Sequence, residues 1–360
     1  MSAEARDGDE GEPQRIGSRY VLHHRDRLGS GGMATVYLGH DEHAPCAPRT
    51  VAIKRMHPWL LKEPELMATL LDEGRVVSHI AHPNVVALRE VVVEEQELFL
   101  VLEYVHGEPL SALVKAVHAR GERVPSAIAC ALVRDLLRGL HAAHEANDEM
   151  GKPLGIVHRD VSPQNLLVGV DGRGHLLDFG VAKAAGRLQS TRNGSVKGKL
   201  AYMAPEQLRA GLVTRRSDLY SASVVFWELL AGKRIFGEDP EAHVVVRKIG
   251  GPFLRPSTLN RGASDAALDP IVMKGLSREP PDRYGSAAEM ADELERTASC
   301  ASAEMVSAWV HEVGAESLAA RAAQLLRIEG PASAGSAEES APWRDALKGV
   351  LAGPRGWLRD

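Results

Sequence analysis

An α+β chain of two unequal lobes is what this sequence predicts. A small β-rich lobe with one key helix spans residues 18–105, and a larger, mainly helical lobe spans 106–298. Three observations carry that expectation. Up to about Val105 the apolar residues come in short β-branched and aromatic runs broken by glycine-rich or acidic turns. From about Pro125 they recur at helical spacing instead. With 360 residues, 44% hydrophobic and 25% charged, the chain is long enough for two lobes and apolar enough to give each a core.

The elements follow in order. MSAEARDGDEGEPQ is acidic and polar and has no apolar signal-peptide region, so residues 1–17 are expected to form a disordered leader. RYVLHHRDRLGSGGMATVYLGHD reads as two strands joined by a glycine-rich turn, with Thr35, Val36, Tyr37 and Leu38 starting the second. RTVAIKRM is a third strand, and EPELMATLLDEGRVVSHI is a helix. HPNVVALREVVVEEQELFLVLEYV supplies two more strands around EEQE. PSAIACALVRDLLRGLHAAHE opens at Pro125 and Ser126 and repeats Ile128, Leu132, Leu136 and Leu140 as a helical stripe. SDLYSASVVFWELLAG is apolar nearly all round, which marks a helix central to its lobe. Residues 264–298 hold two or three further helices. The amphipathic run EMVSAWVHEVGAESLAARAAQLLRIE makes 299–330 a helical extension, expected to pack on the large lobe or bind a partner. GPASAGSAEESAP and WRDALKGVLAGPRGWLRD read as a flexible linker and tail over 331–360.

Bulk properties narrow the function classes. A net charge of -5 leaves no basic footprint, so nucleic acid is not an expected partner. Cys46, Cys130 and Cys300 are far apart and form no CxxC pattern, which points to reduced thiols and a cytoplasmic setting. No stretch approaches the roughly 18 apolar residues a membrane helix needs, so no membrane span is expected. His141 and His144 share a helix, but no Cys or acidic residue stands at matching spacing, and no metal site is expected there.

Five motifs carry chemistry. Leu28-Gly29-Ser30-Gly31-Gly32-Met33-Ala34-Thr35-Val36 sets glycines at a strand turn, where backbone amides can approach phosphate oxygens with no Cβ in the way. A plain hairpin would also explain it, so the loop gains its weight from the other four motifs. Val51-Ala52-Ile53-Lys54 ends an apolar strand with an ammonium that would be costly unpaired. On the next helix Leu66, Leu70, Glu73, Val77 and Ile80 form one face. Glu73 thus lies on the buried stripe, and a carboxylate there needs a cation. Lys54–Glu73 is the natural pair, with Lys54 also in reach of phosphate oxygens. Downstream stand His158-Arg159-Asp160 with Asn165, then Asp178-Phe179-Gly180, then Ala204-Pro205-Glu206. Asp178 and Asn165 offer hard oxygen ligands suited to Mg²⁺, and Asp160 can accept a proton from an attacking hydroxyl.

In these motifs, and in phrases such as RLGSGGMATVYLG, AHPNVV, HRDVSPQNLLV and KGKLAYMAPEQL, residues 18–298 resemble a eukaryotic-type protein kinase domain, most of all the bacterial Ser/Thr protein kinases. The resemblance implies the two-lobed protein kinase fold and transfer of the γ-phosphate of Mg-ATP to Ser/Thr hydroxyls of protein substrates. ATP and Mg²⁺ are the implied cofactors. Lys54, Asp160, Asn165 and Asp178 would be catalytic, with the metal on Asn165 and Asp178. Leu28, Gly29, Ser30, Gly31, Gly32, Val36, Ala52, Lys54, Glu73, Glu103, Val105 and Leu167 would hold the nucleotide. Within that set, Glu103 and Val105 would offer hinge backbone to adenine beside the gatekeeper Leu102, and Ala52 and Leu167 would sandwich the ring with Val36. Val77, Leu88, His158 and Phe179 would stack as a column anchored on Asp218, and Glu206 would pair with a buried Arg283.

The chain also departs from the family. Ala34 stands where a third loop glycine is common. Ser162 stands two residues after Asp160, where the family usually has a Lys that touches the transferred phosphate. Gly198-Lys199 replaces a Gly-Thr whose Thr bonds the catalytic Asp. One position has lost an ammonium and gained a hydroxyl; the other has done the reverse. If both flank Asp160, Lys199 supplies the charge that Ser162 cannot. Arg159 would receive a phosphorylated loop residue, and Ser190, Thr191 and Ser195 lie amid Arg187, Arg192 and Lys197. Autophosphorylation within 190–195, through self-association, is therefore expected. Two readings stand: an active protein kinase, or a pseudokinase that binds nucleotide or partners without turnover. The APE segment disfavours a small-molecule phosphotransferase.

Overall fold

Strand-forming runs and helical stripes segregate in space as they do along the chain. A computed structural model describes residues 12–44, 49–62, 64–94, 97–179, 199–209, 211–237, 239–259 and 263–329. They form two units. The smaller draws on residues up to Lys62, on Arg89–His106 and on Ala315 onward; the larger comprises Glu63–Leu88 and Gly107–Gly314.

The smaller unit is a six-stranded sheet of β1 (Gln14–Ile16), β2 (Tyr20–Ser30), β3 (Ala34–Asp41), β4 (Thr50–Met56), β5 (Leu88–Glu94) and β6 (Glu97–Glu103), ordered β1-β2-β3-β4-β6-β5. Pleating sends alternate residues to opposite faces. Ile16, Tyr20, Leu22, Val51, Ile53, Phe99 and Val101 thereby form the core on one face. Residues 14–16, expected in the disordered leader, are instead strand β1, paired with Tyr20–Leu22 and burying Ile16 completely. A single apolar residue with a hairpin partner was enough, a non-local signal that the polar run conceals.

The C-terminal extension divides. α10 (Ala303–Val313) packs in the larger unit, where Ser307 Oγ donates to Val170 O at 2.6 Å. α11 (Ala315–Glu329) lies against β3 and β4 of the smaller unit, a surface outside the two expectations for the extension, packing on the large lobe or binding a partner. Thr50 Oγ1 donates to Glu329 Oε1 at 2.7 Å, and Arg327 Nη2 donates to Asp26 Oδ1 at 2.6 Å. Leu318, Ala322 and Leu325 are its buried stripe.

In the larger unit, α1 (Pro64–Val77) leads into a stretch stitched onto β9 (Gly174–Leu176). Asn84 Nδ2 donates to Gly174 O, Leu176 N to Asn84 O, and Val86 N to Leu176 O, at 2.9–3.0 Å. Those bonds group α1 with this unit rather than with the strands. β7 (Gly107–Pro109), β8 (Leu166–Gly169) and β9 form a second small sheet beside α2 (Leu110–Ala119) and α3 (Ser126–His144). Next come α4 (Pro205–Leu208), α5 (Arg215–Ala231), α6 (Glu241–Gly250), α7 (Pro256–Leu259), α8 (Asp269–Gly275) and α9 (Ala287–Thr297). α5 is the hub: every residue from Ser217 to Trp227 is buried. Thr214 and Ser217 cap its start reciprocally, and Gly232, at φ 65°, ends it in the left-handed conformation that glycine adopts freely. Among the described residues no helix is long and apolar enough to cross a membrane.

Candidate active site

Each unit carries part of the predicted site. In the smaller one, β2 and β3 meet at the glycine loop. The Gly31 amide donates to Ala34 O at 2.9 Å, closing the turn. A Cβ on Gly29 would meet nothing within 4 Å, so open space lies over the backbone there, as a phosphate cradle requires. Register sets the rest. Val36 pairs with Lys54, Leu38 with Ala52, and Ala52 with Leu102. The pleat therefore puts Val36, Ala52, Lys54 and Leu102 on the face opposite Val51 and Ile53. Lys54 is half-buried on that face. Glu103 is exposed at the end of β6, with Val105 two residues on. Glu73 lies on α1, but its side chain is outside the described residues.

In the larger unit the motif residues converge on Asp218, fully buried in the first turn of α5. Its Oδ2 accepts the His158 N–H at 2.8 Å and its Oδ1 the Arg159 N–H at 2.7 Å. These bonds hold Arg159 at φ 66°, a strained value for a non-glycine residue. His144 Nε2 adds a third donor to Asp218, at 2.8 Å. The His158 ring accepts the Asp160 N–H on Nδ1 at 3.3 Å, donates from Nε2 to Leu177 O at 2.8 Å, and packs on Phe179 with centroids 4.7 Å apart. His158, Phe179 and Asp218 thus come together as expected.

Asn165 ties the catalytic loop to the segment carrying Asp178. Its side-chain NH₂ donates to Asp160 O at 2.7 Å, which fixes the carboxamide and leaves its oxygen as the atom that could serve a metal. Its backbone carbonyl accepts Leu177 N–H at 2.9 Å, bringing the two segments side by side. Asp178 follows at φ 58°. A carboxylate and a carboxamide oxygen form a hard donor set that fits Mg²⁺.

Asp160 has a cation. Lys199 Nζ donates to Asp160 Oδ2 at 2.7 Å, and both side chains are partly exposed. Ser162 is buried, at 9% exposure, and its carbonyl caps the turn by accepting Asn165 N–H at 3.0 Å. The two departures from the family thus do meet at this loop.

The stretch after Lys199 is bolted down. Tyr202 OH donates to Glu228 Oε2 at 2.7 Å, and Ser221 Oγ donates to Tyr202 O at 2.8 Å. Gln207 Nε2 reaches Arg159 O at 3.3 Å. Glu206 is held by Arg283, whose Nη1 and Nη2 donate to its two oxygens at 2.8 and 2.9 Å. Burial raises the Glu206 carboxyl, but the bonds from Arg283 and Ser217 outweigh it, and the net shift is downward. Lys248 of α6, 2% exposed, donates to Met203 O and lies over the rings of Tyr220 and Phe236 at 5.3 and 5.1 Å. Burial pushes its ammonium down to about 7, against the pull of Glu228 and Glu206. Sequence reasoning missed His144 and Lys248. His144 had one cue, its place one turn after Leu140 on the buried stripe of α3. Gly180, Ser190, Thr191 and Ser195 lie outside the described residues.

The protein kinase domain family matches residues 22–293. The tyrosine-protein kinase MasK of Myxococcus xanthus is 38% identical over 269 residues, covering 75% of this chain and 42% of MasK. The serine/threonine-protein kinase PknL of Mycobacterium tuberculosis is 33% identical over 287 residues, covering 80% of this chain and 67% of PknL. PknH of the same organism is 32% identical over 281 residues, covering 78% and 42%. The chain thus spans less than half the length of MasK and PknH. A crystal structure of the M. tuberculosis PknI kinase domain covers 81% of this chain and 99% of its own, with a TM-score of 0.60 at 23% identity, a likeness of fold.

Proposed function

Since the chain belongs to the protein kinase domain family and has its fold, we propose that it is an active kinase that transfers the γ-phosphoryl group of Mg-ATP to Ser and Thr hydroxyls of proteins. The observation that supports turnover is the single network holding Asp160, Asn165 and the Asp178 segment, from Lys199 at one end to buried Asp218 at the other. Arg159 and Asp178 are held at φ 66° and 58°, backbone of the kind that clusters at functional sites, which supports the active reading.

Roles follow from the chemistry. Asp160 accepts the proton of the attacking hydroxyl as that oxygen bonds to the γ-phosphorus and the bond from phosphorus to the ADP oxygen breaks. Asn165 and Asp178 would hold Mg²⁺, which would neutralise charge on the phosphates. Lys54 binds phosphate oxygens. Leu28, Gly29, Ser30, Gly31, Gly32 and Val36 cover the nucleotide, while Ala52, Glu103, Val105 and Leu167 hold its base. The scattered cysteines, with no CxxC pattern among them, support a cytoplasmic setting.

A second reading concerns the acceptor. Both residues that usually mark Ser/Thr kinases, the loop Lys and the Thr of Gly-Thr, are replaced here, and one relative is named a tyrosine kinase. One experiment addresses both readings. The chain is incubated with γ-labelled Mg-ATP, alone and with casein, beside Asp160→Asn, and labelled residues are identified by acid hydrolysis. Phosphoserine and phosphothreonine are expected. Label on tyrosine alone overturns the Ser/Thr assignment, and no label above Asp160→Asn makes the chain a binding module.

A further inference from the structure

Lys199 offers more than an ion pair. A half-exposed pair such as Lys199–Asp160 adds little stability, so its geometry needs another account. An ammonium has three donors. One is used on Asp160 Oδ2, at 2.7 Å. The same small group can therefore grip the base and still present N–H bonds to an anion beside it. Ser162, buried and short, cannot.

The backbone that carries Lys199 is also fixed. Tyr202 N–H donates to Lys199 O at 3.1 Å, and Tyr202 is clamped to α5 through Glu228 and Ser221. Lys248 holds Met203 O, and Gln207 joins α4 to the carbonyl of Arg159, the residue before the base. The ammonium is thus delivered by a rigid mount that is itself attached to the catalytic loop.

We infer that Lys199 is the positioning residue for phosphoryl transfer in this chain. From the segment that enters α4, it orients Asp160 and sets a positive charge beside the transferring group, the place left empty when the loop lysine became Ser162. The inference rests on the proposal that the chain is an active kinase. It adds a regulatory consequence. The cation rides on the segment between Asp178 and Glu206, so Asp160 is fully equipped only while Tyr202 is seated on α5. The hydroxyl proton goes to Asp160.

The test is steady-state transfer from labelled Mg-ATP to casein by the full chain and its variants, with melting temperatures alongside. Lys199→Met should lower kcat by about 10²–10³-fold and shift the KM for ATP by less than about threefold, without changing the melting temperature. Lys199→Arg should restore most of kcat. Ser162→Lys combined with Lys199→Thr should exceed the activity expected from the two single variants together. An active wild type whose Lys199→Met variant keeps its kcat overturns the inference alone. So does a double variant no better than additive. A wild type no more active than Asp160→Asn overturns the functional proposal and this inference with it.

Discussion

Replacing Arg283 by lysine tests how the segment around Glu206 is held. Arg283 spends all five of its N–H donors: Nε on Ser277 O, Nη1 on Glu206 Oε1 and Arg216 O, and Nη2 on Glu206 Oε2 and Arg278 O, at 2.8–3.0 Å. Its side chain is 0% exposed, so water cannot stand in. Lysine keeps the charge but has three donors, leaving at least two acceptors without a partner. A buried group left unpaired costs roughly 1–3 kcal/mol, and carbonyl oxygens tolerate it better than amides. The guanidinium also lies 4.9 Å from the Tyr220 ring centroid, a contact worth about 0.5–1 kcal/mol. Arg283→Lys should therefore cost about 2–4 kcal/mol. Arg283→Met, which strands the Glu206 carboxylate, should cost about 3–5 kcal/mol. Urea unfolding followed by far-UV circular dichroism measures both. The order matters as much as the size: a lysine variant within about 0.5 kcal/mol of wild type, no more than ordinary surface-mutation scatter, or one less stable than Arg283→Met, would refute the donor count. Acid gives an independent check. The Glu206 carboxyl is held below its ordinary 4.5, so the stability it adds is present above that value and lost as pH falls through the lower, folded one. Arg283→Met should weaken that acid-side loss.

Other perturbations have defined outcomes. Asp218→Asn turns an NH₂ toward at least one of three donors and should cost about 2–4 kcal/mol in urea unfolding; it should also lower kcat, because the Arg159 backbone loses its restraint. Lys248 titrates near 7 in the folded chain and near 10.5 unfolded. The unfolded state thus binds more protons in between, and wild type should gain stability relative to Lys248→Met as pH rises from 7 to 9. A difference that is flat over that range would show that Lys248 does not titrate there. Ending the chain at Gly314 removes the contacts of Glu329 and Arg327 with β4 and β2. Hydrogen exchange should then quicken in β2–β4 and stay unchanged in α3 and α5.

Much of this was legible because local patterns carried it. Short β-branched and aromatic runs between turns marked the five longer strands, and the all-round apolar run Ser217–Trp227 marked the central helix. The family resemblance implied the roles of Asp218 and Arg283: Asp218 does hold His158, and Arg283 does pair with Glu206. Lys199 was found by weighing two odd residues against each other, since an ammonium lost at one place and gained at another is visible without coordinates. What stayed hidden depends on distant partners. Ile16 sits in a polar run and is buried by the strand after it. Lys248 belongs to an amphipathic helix, where a lysine ordinarily faces water; here Tyr220, Phe236 and Met203 O enclose it. Nothing in the stripe of α11 says which surface it covers.

That last helix has a consequence for how the molecule is made. Thr50 and Glu329 are separated by 279 positions, yet they close the same unit. At roughly 5–20 residues per second on the ribosome, β4 emerges about 15–60 s before the helix that covers it. The larger unit is nearly continuous in sequence and can complete itself in that interval. The smaller one must wait with Thr50 and Asp26 unpartnered, which makes its strands the part of the nascent chain most in need of a chaperone.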